Sequence, residues 1–406
     1  MNPVRVDPRI TGSDGDAATT ASRALRIVVW GTYDTGKPRT RILLKGLRRH
    51  GVEISEIHRE VWCGVEDKSQ VRGLMARSLV LFRWLGAYPG LVARLLRMPR
   101  HDVVLVPYLG LLDVILLWPF ARLRGIPVMW DAFLSIYNTV VEDRRMVSPR
   151  NPIALLLWAM EWLACRAANR VIVDTAAHAQ YFEETFGVDA ARLVRVFVGA
   201  ETDVFWPRPF PAERRPKAHF TVLFYGQFIP LHGIETVVRA AKLTEGDGVH
   251  WQVIGTGQEA TRIRALIAEL MPTNLTWTEW VPYTELLDWM HRADLCLGIF
   301  GTTGKAMRVI PNKVFQGLAA GCHVVTADTP AVRELSPAIE SGALTLVPAG
   351  DPLALAQTVV SLALQAEESP RKPTDDLATL ISPVAVSLDL VVAAADLVQR
   401  ANRWHG

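Results

Sequence analysis

KAMRVIPNKVFQGLAAGCHVVTADTPAVRE, residues Lys305 to Glu334, reads as loop, helix, strand and second helix start. That succession decides the fold class. Pro311 suits the first helical position, Val314, Phe315, Leu318 and Ala319 recur on one face, and Gly321 ends the helix before a β-branched strand, His323 to Ala327. Polar and cationic residues gather at the first turn. Free N–H groups at a helix start, with Lys305, Arg308 and Lys313 nearby, suit a diphosphate. The same residues also fit an ordinary helix–strand unit with solvated charges.

The alternation continues on either side. Upstream come a strand at Phe220 to Tyr225, helix Ile234 to Leu243, strand WQVIG, helix Glu259 to Leu270, strand Leu275 to Trp277, helix Tyr283 to His291 and strand Leu295 to Ile299. Nearer the start, LRIVVW at Leu25 to Trp30 is apolar along its length, as a strand buried on both sides of a parallel sheet must be. Strands follow at Val52 to Ile57, Val103 to Val106, Val128 to Trp130, Val171 to Val173 and Leu193 to Phe197, with helices at Ile42 to His50, Leu111 to Leu123 and Pro152 to Ala168. The fold class is α/β, with two doubly wound sheets. The proline- and charge-rich Arg208 to Lys217 reads as the linker, and Pro383 to Arg403 as a last long helix able to pack back on the first domain.

A chain of 406 residues that is half hydrophobic has enough apolar material for two cores. Its formal charge of +3 argues against a nucleic-acid partner, which calls for a concentrated basic face. Cys63, Cys165, Cys296 and Cys322 are scattered, so neither a metal site nor a disulfide framework is expected, and a cytoplasmic location fits. The polar segment 1–23 reads as a disordered arm without the apolar core of a signal peptide.

Asp113 and Glu161 interrupt the two longest apolar runs below the roughly 20 residues of a spanning helix. Ala76 to Arg100 interleaves Arg77, Arg83, Arg94, Arg97 and Arg100 with Leu79, Phe82, Trp84, Leu91 and Leu95. That mix suits a helix lying on an anionic membrane surface, and equally an amphipathic helix packed on its own domain.

Several stretches occur in the order found in one enzyme family. GAETDVFWP at Gly199 to Pro207 resembles its "G-V-D-x-x-x-F-x-P" run, YGQFIPLHG at Tyr225 to Gly233 its "G-R-x-x-x-x-K-G" loop, and IGTGQE its "G-x-G". WTEWVPYTELLDWMHRADLCL resembles its base-binding strand–loop–helix, and Pro311 to Val325 its "E-A-x-A-x-G-x-P-V-V" core. From Arg26 to about Leu364 the chain thus resembles retaining glycosyltransferases of family 4, with the GT-B architecture of two Rossmann-like domains facing across a cleft. It departs from the pattern where the loop's Arg and Lys become Gln227 and His232, and where the paired glutamates fall on Arg308 and Gln316.

The resemblance implies an acceptor-binding domain at 24–207, a linker at 208–217, a donor domain at 218–380 and a returning helix at 381–406. It also implies a nucleotide-sugar donor, UDP- or GDP-linked, with no cofactor or metal. The acceptor would be a glycan or a lipid-linked molecule, at the inner face of the membrane if the arginine-rich helix lies there. Lys305, Arg308 and His232 are the catalytic cations expected to stabilise the leaving phosphate. Asp131 ends its strand where the family places an active-site His or Asp, although it could instead cap the next helix. Gly31, Thr32, Gly226, Gln227, Gly255, Pro311, Asn312 and Lys313 are expected at the donor, with Gln316 on the ribose and Trp280 and Val281 near the base. Asp34, Lys37 and Arg39 are expected at the acceptor, and the EDRR run Glu142 to Arg145 reads as acceptor loop or surface charge. Retention requires no dedicated strong base, because the acceptor proton passes to the departing phosphate. A nucleotide-sugar epimerase and a non-catalytic membrane-surface relative are the alternatives.

Overall fold

The computed structural model describes residues 23–61, 74–208, 219–368 and 375–403. The arm up to residue 22, Cys63 and nearly all of the expected linker lie outside the described residues. By packing, the chain divides into two compact units, the first within 1–132, 163–172 and 387–406 and the second within 133–162 and 173–386.

The N-terminal half supplies β1 (Arg26–Gly31), α1 (Pro38–Arg49), β2 (Glu53–His58), α2 (Leu74–Arg97), β3 (Val103–Val106), α3 (Leu111–Leu123), β4 (Val128–Asp131), α4 (Pro152–Ala167), β5 (Arg170–Val173), α5 (Ala176–Phe186) and β6 (Leu193–Arg195). Its sheet has the order β2-β1-β3-β4-β5-β6. β1 runs parallel to both neighbours, with Ile27 opposite Ile54 on one side and Val103 on the other. Helices cover both faces of such a sheet, which is why Ile27 to Trp30 and Val103 to Val106 are all buried.

The second series comprises β7 (Phe220–Tyr225), α6 (Ile234–Leu243), β8 (Val249–Ile254), α7 (Ala260–Leu270), β9 (Leu275–Thr278), α8 (Leu286–Arg292), β10 (Leu295–Leu297), α9 (Asn312–Ala319), β11 (His323–Ala327), α10 (Ser336–Glu340), β12 (Leu344–Val347) and α11 (Pro352–Glu368). Their order is β12-β11-β10-β7-β8-β9. The order reverses between β7 and β10. In open parallel sheets the crevice beyond the carboxyl ends of such a strand pair is where ligands bind. Phe224, Phe228, Trp251 and Phe300 fill the core on one face of this sheet, and Phe205, Phe315 and Leu318 the core on the other.

A short helix, α12 (Asp375–Leu380), and a long one, α13 (Pro383–Arg403), follow. Among the described residues, Leu377–Ala401 is the one stretch long and apolar enough to cross a membrane by length and composition. In this fold it packs Leu390, Ala394 and Leu397 inward, and Asp396 pairs with Arg170 of β5.

Candidate active site

The site of greatest chemical interest is at the carboxyl end of β7. The chain leaves that strand through Gly226 at φ 138°, where a Cβ would stand 2.9 Å from the Nζ of Lys313. Glycine is required here by both backbone and space. Gly255, leaving β8 at φ 145°, is as constrained, because its Cβ would meet the Gly226 carbonyl at 1.9 Å. Lys313 enters this corner from the first turn of α9. Its side chain is 5% exposed, its Nζ has no hydrogen-bond partner, and it sits 3.8 Å over the Phe224 ring. Burial pushes its pKa well below the ordinary lysine range. A buried cationic group without an acceptor is costly unless an anion joins it.

His232 Nδ1 contacts the Gln227 carbonyl. Loss of solvation, reinforced by the neighbouring Lys313, holds its pKa well below the usual histidine range. The expected catalytic cation is therefore a neutral imidazole, and Lys313 beside it is likewise displaced toward its neutral form. Gln227 is exposed beside it. α9 starts one residue later than the sequence suggests, with Pro311 in extended backbone at its N-cap, and Asn312 and Lys313 lack intrahelical acceptors for their N–H groups.

Gln316 is not turned toward a ribose. It is buried; its Oε1 accepts from the Tyr225 hydroxyl at 2.8 Å and its Nε2 donates to the Tyr283 hydroxyl at 3.1 Å. Tyr283 in turn donates to Glu201 at 2.9 Å. The two tyrosines, one on β7 and one preceding α8, take both ends of the amide. Trp280 is 66% exposed and Val281 half-buried at the end of the β9 loop, where a planar ligand has access.

Lys305 is equally buried but has a partner, donating to Thr139 Oγ1 at 2.7 Å. Thr139 lies in a π-helical turn, Asn138–Asp143, a distortion often found at functional sites. Burial pulls Lys305 down to about 8, with Asp143, Asp174 and Glu161 opposing the shift. Glu161, fully buried, accepts from Ser135 Oγ at 2.9 Å and from the N–H groups of Ile136 and Tyr137. Burial nevertheless pushes its carboxyl up to about 7. Arg308 lies with its guanidinium 4.1 Å from the Tyr181 ring centre and 3.4 Å from Glu142. Lys305 and Arg308 are thus each held by their surroundings.

In the first unit the structure gives the expected residues other partners. The room at Gly31, φ 132°, is filled by Asp113, whose Oδ2 lies 2.3 Å from where a Cβ would be. Thr32 spends its N–H and its hydroxyl on the same carboxylate, at 2.8 and 3.0 Å, and Tyr88 adds a third bond at 2.6 Å. The backbone cradle expected to meet phosphate is closed by a buried side chain. Asp131 and Arg39, assigned in sequence to different roles, form one ion pair with Nε at 3.1 Å and Nη2 at 2.8 Å. Both side chains are no more than 1% exposed. Asp131 consequently caps no helix and presents no open carboxylate. Asp34 closes its own turn by accepting from Gly36 N–H at 2.9 Å, and Lys37 precedes α1 as its N-cap.

Two family models account for most of the chain. One, described as "Glycosyl transferase 4-like domain", matches residues 35–199, and the other, "Glycosyl transferases group 1", matches residues 219–365. The chain belongs to the group 1 glycosyltransferases. No curated protein matches it by sequence. Among solved structures, a sucrose-phosphate synthase from Thermosynechococcus elongatus is similar with TM-score 0.65 and 16% identity, over 93% of this chain and all of that one. Anabaena HepE in complex with UDP and glucose gives TM-score 0.60 and 12% identity, over 92% of this chain and 100% of that one. The lipopolysaccharide outer core galactosyltransferase WaaB gives 0.57 and 11%, over 92% and 99%. At such identities the likeness shows the fold, which is GT-B.

For this glycosyltransferase, sequence patterns located the Lys313 corner but not the residues around it. Thr139, Glu161, Thr303 and Tyr181 carry no local motif. Thr139 and Glu161 come near Lys305 because the segment after β4 packs in the second unit, while Tyr181 reaches Arg308 from α5. Among the described residues no cluster of His, Cys, Asp or Glu could hold a metal ion.

Proposed function

We propose that this glycosyltransferase takes its sugar from a UDP- or GDP-linked donor whose diphosphate sits at Lys313, Gly226 and the first turn of α9, and transfers it with retention of configuration. The buried, unpartnered side-chain nitrogen of Lys313 carries the reading. A diphosphate supplies the acceptor that Nζ lacks, and a helix start adds oriented N–H groups. Lys305 and Arg308 are the further cations for charge developing on the leaving phosphate, where one good donor is worth about 3 kcal/mol of barrier. Calorimetric titration of UDP and GDP against native protein and Lys313→Met tests the assignment. One nucleotide should bind, at least tenfold more tightly to the native chain. Binding of neither, or equal binding by both proteins, overturns it.

The acceptor we propose is a lipid-linked or membrane-proximal glycan, reached from the cytoplasmic side with the protein peripheral on anionic lipid. The support is a surface of the first unit. α2 and α3 pack together and leave Phe82 (76%), Leu85, Leu96, Leu116, Trp118 and Leu123 (82%) exposed, while Leu91 and Leu95 turn inward. Arg83, Arg94, Arg97, Arg100 and Arg122 stand exposed among them; the side chains of Arg77 and Leu79 lie outside those described. Each basic residue at an anionic surface contributes on the order of 1 kcal/mol. Co-sedimentation with vesicles containing 30% anionic lipid (about the cytoplasmic-leaflet regime) should pull down the native chain at low salt, and Arg94→Glu with Arg97→Glu should abolish it. Absence of binding by the native chain refutes the proposal.

A further inference from the structure

Beside the Lys313 corner, the second unit has an open cavity of about 590 Å³ between the π-helical turn and the start of α6. Its charges are mostly spoken for. Glu235 holds Arg239 at 2.9 Å and also meets Arg262, which Glu259 contacts at 3.1 Å. Asp143 accepts from Thr303 at 2.8 Å and faces the Lys305 ammonium. The cations left over are Arg144 and Arg145, whose guanidinium groups have no hydrogen-bonded or ion-paired partner among the described residues.

Their backbone is fixed for a purpose other than helix continuation. Arg144 N–H closes on Thr139 O at 3.0 Å, Gln258 Nε2 donates to the Arg144 carbonyl, and Arg145 takes φ 51°, a left-handed conformation that a long side chain rarely adopts. Met146 N–H then bonds back to Val140 O at 2.9 Å. Outliers of this kind concentrate where a chain holds a ligand. On the opposite wall, Gly301, Thr302 and Thr303 offer backbone and hydroxyl groups. Asp143 Oδ2 is buried with no partner, so a hydroxyl donor is also accommodated.

We propose that Arg144 and Arg145 form a second phosphate subsite in this cavity, separate from the Lys313 corner, for a phosphoryl group on a hydroxylated ligand. Guanidinium groups suit phosphate because their donors pair with its oxygens two at a time. The phosphoryl group is either the distal phosphate of the nucleotide donor or a phosphate borne by the acceptor. The first alternative rests on the donor reading above, and the second does not.

Calorimetry separates them. UDP and UMP are titrated against native protein and R144A/R145A, and then glucose 6-phosphate and glucose against each protein saturated with UDP and against each without nucleotide. A donor-phosphate subsite weakens UDP at least tenfold in the variant and leaves UMP unchanged. An acceptor-phosphate subsite leaves UDP unchanged and weakens glucose 6-phosphate at least tenfold while glucose is unaffected. Either result supports the subsite. Should the native chain bind no nucleotide yet hold glucose 6-phosphate through these arginines, the donor reading fails and the subsite stands. If the variant binds UDP and glucose 6-phosphate as the native chain does, or if the native chain binds neither, the subsite is overturned. Both side chains are solvent-accessible, so equal melting temperatures are expected; R144K, which keeps the charge but loses the paired donors, should fall between the native chain and R144A in affinity.

Discussion

Replacing Gln316 by glutamate asks whether that side chain faces a ligand or the interior. In the observed chain of bonds the protons run one way: Tyr225 donates to the amide oxygen, the amide nitrogen to Tyr283, and Tyr283 to Glu201. A carboxylate at 316 donates nothing. Tyr283 then has one proton for two acceptors, and a second negative charge is buried near Glu201. If the new carboxyl stays ionised, an unmet buried acceptor costs about 1–3 kcal/mol, more when charged. If it takes a proton to restore the bond at pH 7, moving it from an ordinary pKa of about 4.3 costs about 1.36 kcal/mol per unit, or about 3.7 kcal/mol. The expected loss is about 2–4 kcal/mol at pH 7, and for a unit of this size about 5–12 °C in melting temperature.

The sign with pH follows from linkage. Burial raises the introduced carboxyl's folded pKa above its unfolded one, so the variant matches the native chain below about pH 4, where both states carry the proton. Its deficit grows as pH rises through the folded pKa and is constant beyond. Differential scanning fluorimetry of both proteins from pH 4.5 to 8 measures this. If Gln316→Glu melts within about 1 °C of the native chain at pH 7.5, the amide is not held by the two tyrosines and the ribose-facing position regains its case.

Three further outcomes are expected. Turnover dependent on the Lys305 ammonium should fall as pH rises through about 8, since deprotonation removes the charge, and Lys305→Arg should abolish that limb; a pH–rate profile unchanged by Lys305→Ala would exclude the role. Asp131→Ala should lose about 3–5 kcal/mol of stability by removing the buried carboxylate that Arg39 pairs with, read as a drop in melting temperature, whereas a purely catalytic carboxylate would leave melting unchanged. Nucleotide binding should be accompanied by proton uptake at Lys313, because the anion reverses the effect of burial; calorimetry in buffers of different ionisation enthalpy detects it, and an unchanged uptake in Lys313→Met would rule it out.

The periodicity of the chain made both sheets legible because parallel strands buried on two faces show up as unbroken apolar runs, as at Val103–Val106, and the helices Leu111–Leu123, Ile234–Leu243 and Pro383–Arg403 also stand where the residues place them. β12 and α5 were not legible. Leu344–Val347 is an edge strand of mixed burial, and Ala176–Phe186 is only weakly amphipathic, so neither carries a strong pattern. The turn at Gly226 and the start of α9 beside it were legible in part, since a glycine after a strand, a helix start and a basic residue are local features. What contacts Gln316, Arg39 and Thr32 was not, because Tyr225, Asp131 and Asp113 lie 81–92 residues away in sequence.

Gly31 and Gly226 show why a motif alone could not separate a filled turn from an open one. Both follow the first strand of a parallel sheet, and both have the left-handed φ that only glycine adopts without strain. At Gly31 the vacant volume holds a carboxylate, an acceptor that consumes the very N–H and hydroxyl groups a phosphate would need. At Gly226 it holds the end of a lysine, a donor, and the nearby histidine is neutral. The sign of the intruding side chain therefore decides the chemistry: the first turn is self-satisfied and stabilises its unit, while the second lacks an anion. Loss of the family's loop arginine and lysine at Gln227 and His232 sharpens this. A site with several fixed cations would repel itself when empty, whereas one buried lysine, displaced toward its neutral form, is tolerated without an anion and, on the proposed reading, would regain its charge beside a diphosphate.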